Sequence, residues 1–114
     1  MELKDPKTWE SPTDWRPDAD ANWEIECLKA LALAIQEKDQ DVKVDINLDD
    51  PNCIFFSAIR SELRIGEAYV NRKGANGSTP LFSVFYGRDE EELHSASVEE
   101  CASKLVGSDG FPDE

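Results

Sequence analysis

Histidine, cysteine and basic side chains are all scarce in this chain, and each scarcity removes a class of function. His94 is the single histidine among 114 residues, which excludes a histidine-pair metal site and a two-histidine proton relay. The three cysteines, Cys27, Cys53 and Cys101, are odd in number, widely spaced and each followed by an apolar residue, so they predict buried thiols and not a disulfide framework. The longest apolar stretch runs only from Ala30 to Ile35, well short of the roughly 20 residues that a membrane-spanning helix needs. Lys4 and Lys7 are followed by no apolar segment, and Asp5, Glu10, Asp14, Asp18 and Asp20 do not fit a secretory or organellar presequence. The expected location is cytoplasmic.

The shortage of bases is the most telling of these absences. Twelve Lys and Arg stand against 25 Asp and Glu, for a net charge of −13. The imbalance is uneven: residues 1–26 carry −5, 27–59 carry −3, 60–87 carry +2 and 88–114 carry −7. A field of this sign repels nucleic acid and anionic membrane and attracts cationic proteins. It leaves one basic island between two acidic ends.

What is present predicts one small α+β domain. Asp20 to Lys38 has a helical stripe of Ile25, Leu28, Leu31, Ala32 and Ile35, with Glu24, Lys29, Gln36 and Glu37 off it and Asp20 or Asn22 as caps. Val42, Val44, Ile46 and Leu48 alternate with Lys43, Asp45 and Asn47, the pattern of a half-buried strand. The segment Cys53 to Ile65 reads either as a strand or as a helix capped by Asp50 and stopped by Gly66; its Ile-Phe-Phe run favours strand. Ala68 to Arg72 and Leu81 to Tyr86 read as two more strands around the loop Lys73 to Pro80. Ser97 with Glu100 forms a capping box for a short last helix that holds Val98, Cys101, Ala102 and Leu105 and stops at Gly107. The expected architecture is a single-layer antiparallel sheet of three to four strands packed against an N-terminal helix and a short C-terminal helix. Residues 1–19 are expected as an extended arm, 20–107 as the domain and 108–114 as a frayed acidic tail.

Several motifs imitate chemistry without completing it. Asp45, Asn47 and Asp49 alternate like the start of a calcium loop, but Asp50 replaces the glycine and Phe56 the bidentate glutamate; Asp18, Asp20 and Asn22 fail in the same way. Gly74 to Thr79, after Arg72 and Lys73, lacks the spacing of a nucleotide-binding loop. Asn76-Gly77-Ser78 matches a glycosylation acceptor, which has no meaning without secretion. Nucleophilic catalysis would need a serine or cysteine beside His94, and nothing in the sequence brings one there. No metal, cofactor or catalytic residue is expected, and the protein reads as a non-enzyme.

The candidate binding residues are of two kinds. The run Asp89, Glu90, Glu91 and Glu92, reinforced by Glu99 and Glu100, is the densest negative patch and suits a basic protein partner. Trp9 and Trp15 in the proline-rich arm either fold back over the core as a lid or anchor on a partner, as large aromatics do at interfaces. The reading is a small acidic binding protein docking on a cationic surface of a partner protein, as an inhibitor or immunity-type antagonist of a nucleic-acid-handling protein would. The alternative is an accessory or chaperone-like module that uses its apolar sheet and tryptophan arm, its charge serving solubility. Neither reading has direct nucleic-acid or membrane contact.

Overall fold

The computed structural model describes residues 5–10, 19–49, 53–71 and 81–111. Helix α1 (Ala19–Lys38) leads into strand β1 (Val42–Asn47), and β2 (Phe55–Arg60), β3 (Leu63–Asn71), β4 (Leu81–Tyr86) and β5 (Glu91–Ser95) follow before helix α2 (Val98–Val106). The strands form one antiparallel meander in the order β1-β2-β3-β4-β5. Among the described residues there are five strands where three to four were expected.

Both helices lie side by side on one face of this sheet, α1 over β1 and β3, α2 over β3, β4 and β5. The α1 stripe of Ile25, Leu28, Leu31, Ala32 and Ile35 is buried as its spacing predicts. It meets Val42 and Val44 from β1, Phe56 and Ala58 from β2, Ala68 and Val70 from β3, and Phe82 and Val84 from β4. Gly66 lets the sheet and α2 approach closely: a Cβ there would lie 2.5 Å from Leu105 Cδ2 and 2.6 Å from the Phe85 carbonyl oxygen. Glu24, assigned to the solvent side from its place off the stripe, is in fact buried.

The ambiguous segment 53–65 is neither a helix nor one long strand. It is a hairpin, with β2 and β3 joined through Ser61 and Glu62 at φ 53° and 67°. Positive φ at both central residues gives the twist that two-residue hairpin loops require. A register shift follows at Ala58/Ile59, and Ile65 and Gly66 are both buried while Arg64 and Glu67 are not. This bulge therefore puts Arg64 and Glu67 on one face although they are three residues apart.

The acidic run 89–92 is exposed throughout, and it makes the β4–β5 turn and opens β5. Glu90 donates its N–H to the Gly87 carbonyl at 3.0 Å, with φ 79° at Gly87 and 52° at Glu90. Leu93 is the one β5 side chain that packs against the core.

Two peripheral segments also depart from expectation. Pro6–Thr8 forms a single 3-10 turn capped by Asp5, it packs on α1, and Trp9 after it is only 2% exposed. Its ring lies 5.9 Å from that of Phe56, so this part of the arm is a lid over the core. Ser108, expected in a frayed tail, is buried; its hydroxyl donates to the Ile65 carbonyl at 2.7 Å and accepts from Gly87 N–H at 2.9 Å. Arg60 closes the same corner, donating to Asp39 Oδ2 at 2.8 Å, to the Val106 carbonyl at 2.6 Å and to the Ser108 carbonyl at 3.2 Å.

The α2 start is a relayed version of the predicted capping box. Ser97 Oγ accepts from Glu100 N–H at 3.1 Å, but Glu100 reaches Ser95 Oγ at 2.6 Å, and that hydroxyl accepts from Ser97 N–H at 3.0 Å. Of the three cysteines, Cys101 is buried, Cys27 half-buried and Cys53 exposed, so the expectation of three core thiols fails at Cys53. Burial pushes the Cys101 thiol up to about 11. Among the described residues no helix is long and apolar enough to cross a membrane.

Candidate functional site: the open face of the sheet

No described element covers the second face of the sheet, and strand register fixes what stands on it. One transverse row runs Asn47, Phe55, Tyr69, Ser83, His94, from β1 to β5. The next runs Asp45, Ser57, Glu67, Phe85, Glu92. A third holds Lys43, Ile59 and Arg64. Side chains directly opposite one another across strands sit about 5 Å apart, so each row is a line of touching groups.

Aromatic rings run across the middle of this face. Phe55 stacks on Tyr69 with centroids 5.0 Å apart, and Tyr69 meets Phe85 edge-to-face at 5.7 Å. Both geometries are ones that aromatic pairs favour. Beside them lies a concavity of about 390 Å³ lined by Glu67, Tyr69, Val70, Ser83, Phe85 and Glu90. The Glu67 side chain is only 16% exposed, and its cation neighbour, Arg64, is distant at 3.5 Å. Burial raises the Glu67 carboxyl above its ordinary range; Arg64 opposes that rise and Glu90 adds to it. Burial also raises the Tyr69 phenol.

The acidic residues singled out in the sequence do not form one patch. Glu92 faces the open side beside Phe85, and Glu90 lines the concavity there. Asp89 and Glu91 line a different recess of about 540 Å³, where Arg88 and Lys104 offset them. Glu99 is ion-paired with Lys38. Glu100 is held by Ser95 at the far end of β5, about 13 Å from Glu91 along the strand. Trp9 is in the core, so it is corrected from a partner anchor to a lid. Trp15 lies outside the described residues, as do residues 50–52 and the expected loop Lys73 to Pro80. The sequence reading missed Asp45, Glu67, Tyr69 and Phe85, because they are far apart in the chain and only pairing assembles them.

Pairing also brings a serine to His94, against expectation. Ser83 Oγ lies 2.9 Å from His94 Nδ1, and Glu92 Oε2 lies 3.2 Å from His94 Nε2. The order serine, histidine, carboxylate is that of a hydrolytic relay. However, β4 is paired on both sides, so the ladders occupy the N–H groups beside Ser83 that would otherwise stabilise an oxyanion. Asp45, Asn47 and Asp49 do not form a cage either: Asn47 Oδ1 accepts from Asp49 N–H at 2.9 Å. Among the described residues no three His, Cys, Asp or Glu side chains converge as metal ligands.

Comparison of the chain with family models, with curated proteins and with solved structures returns no match. The functional reading therefore rests on the geometry of the open face.

Proposed function

We propose that this is a non-catalytic cytoplasmic binding protein whose open sheet face docks on a cationic surface of a partner protein, antagonising a nucleic-acid-handling partner. The observation that carries the reading is the adjacency of two rows, one holding Phe55 and Tyr69 and the other Asp45, Glu67 and Glu92 with Phe85 among them, on a face that no described element covers. A face destined only for water has no use for three packed rings, and a face destined for the core has no use for Asp45, Glu67 and Glu92. Together they suit a partner that presents bases on an apolar footing. Proteins that neutralise phosphates present such surfaces, and carboxylates can occupy the same positions. The Ser83, His94 and Glu92 chain serves in this reading as a rigid polar border to the rings.

The alternative reading, an apolar interaction module with charge for solubility, draws on the same rings but makes the acids incidental. Capture from the native host at low and high salt separates the two. Wild-type protein is compared with D45N/E67Q/E90Q/E92Q and with D89N/E91Q. The expected outcome is a basic partner, released by salt, lost by the first variant and kept by the second. Salt screens exposed charges beyond about 10 Å at 0.1 M. Equal, salt-resistant capture by all three would overturn the electrostatic reading and leave the apolar one.

A further inference from the structure

Resting on that reading, we infer that the concavity beside Tyr69 and Phe85 is a subsite for one arginine side chain of the partner. The Phe55 and Tyr69 pair makes a stacked platform, and Phe85 stands edge-on to Tyr69, so the rings form a corner and not a flat floor. Glu67 and Glu90 line the same corner. Guanidinium is planar and weakly hydrated, stacks on ring faces and pairs with carboxylates through two parallel N–H donors. Ammonium is compact and strongly hydrated and gains less from the rings. The corner thus supplies both halves of what a guanidinium takes.

The site is negative before it is occupied. Glu67 is mostly withdrawn from water and has Glu90 as a neighbouring like charge, while Arg64 reaches it only at 3.5 Å and is itself 43% exposed. A mostly buried carboxylate beside half-buried aromatics lowers stability in the free protein. An incoming cation relieves that cost, so the same arrangement adds affinity. The incoming guanidinium displaces Arg64 from a long, weak contact and gives Glu67 a close one. The cavity of about 390 Å³ has room for a guanidinium and its methylene stem.

The test uses the full chain and three blocked tripeptides, Ac-Ala-X-Ala-NH2, with X arginine, lysine or citrulline, followed by aromatic ¹H–¹³C NMR. The arginine peptide is expected to shift the Tyr69 and Phe85 ring signals saturably, lysine several-fold more weakly, and citrulline, which keeps the shape without the charge, not at all. Glu67→Gln is expected to weaken arginine binding by at least about tenfold without any fall in its melting temperature, since losing one partner of a desolvated charge pair costs more than 1.4 kcal/mol. Tyr69→Leu is expected to narrow the preference for arginine over lysine. Equal shifts by all three peptides, shifts confined to the Tyr86 and Lys104 recess, unchanged binding by Glu67→Gln, or no saturable shift up to the solubility of the peptide would each overturn the subsite. Those failures leave the wider docking reading intact where salt-sensitive capture survives in Glu67→Gln.

Discussion

Phe55 and Phe56 are neighbours in β2 and meet opposite fates. Phe56 is fully buried under Trp9 and the helices, whereas Phe55 is half-exposed against Tyr69 on the face without helices. The same contrast repeats across the sheet: Val84 against Phe85, Ala68 against Tyr69, Val44 against Asp45. On the covered face the buried side chains pack against the helices, and truncating one of them leaves a hole. On the open face the large rings pack only on each other, and carboxylates interleave them. The comparison separates what holds the fold together from what the fold presents.

The largest expected effect tests that separation directly. Phe56→Ala opens a cavity in the core and should lower stability by about 3–5 kcal/mol, as buried aromatic truncations do. Phe55→Ala loses one ring contact and some partly exposed area, and should cost about 1 kcal/mol. Urea unfolding of both variants checks the contrast. Equal losses would show that the open face is also structural.

Next in size is Arg60, which stands at the rim of the covered face and ties β2 to the ends of both helices. Its guanidinium bridges Asp39 just after α1, the carbonyl of Val106 that ends α2, and the carbonyl of the buried Ser108. Arg60→Ala leaves those carbonyls near the C-terminal end of α2 without their cation, where a helix end favours positive charge. A loss of about 2 kcal/mol is expected, from charge-assisted hydrogen bonds that are part-buried, and hydrogen exchange should speed up first in α2.

The hairpin at Ser61 and Glu62 offers a change of the opposite sign. Both residues hold positive φ without being glycine or asparagine, and left-handed backbone costs an ordinary residue about 1–2 kcal/mol. Replacing the pair by Asn-Gly should raise stability by about 1 kcal/mol, read as an increase in the urea midpoint with unchanged slope.

That turn also explains what the sequence concealed. The α1 stripe and the β1 alternation were legible because each is a local periodicity written in several residues. Segment 53–65 was not, since its turn carries neither of the residues that mark one, and β5 was hidden because an edge strand needs only Leu93 to face inward while its acids resemble a loop. Trp9 could be read as lid or anchor alike, since one 3-10 turn decides it. The candidate site was the least legible part. Asp45, Glu67 and Glu92 become one row only through four strand pairings, and no local pattern encodes register between strands. The acidic run, by contrast, was conspicuous in the sequence and is split between two sides of the molecule.

The smallest effect carries the sharpest contrast, because it sets one carboxylate of the open face against one of the rim. Burial raises the Glu67 carboxyl, so its folded value lies above the unfolded glutamate value of about 4.3. Its contribution to stability is therefore complete below about pH 4 and is lost as pH rises through the folded value. Asp39 is the reverse: the Asp41 N–H and the Arg60 guanidinium hold its carboxyl below the usual range. Its contribution is present above the unfolded value, and is lost as pH falls through the folded one. Glu67→Gln mimics the protonated form at every pH, so its melting temperature should match wild type in acid and exceed it at neutral pH. Asp39→Asn should match wild type in acid and fall below it at neutral pH. A Glu67→Gln curve lying under wild type at neutral pH would mean that the carboxylate supports the fold, and the contrast between a rim that stabilises and a face kept at a cost in stability would collapse.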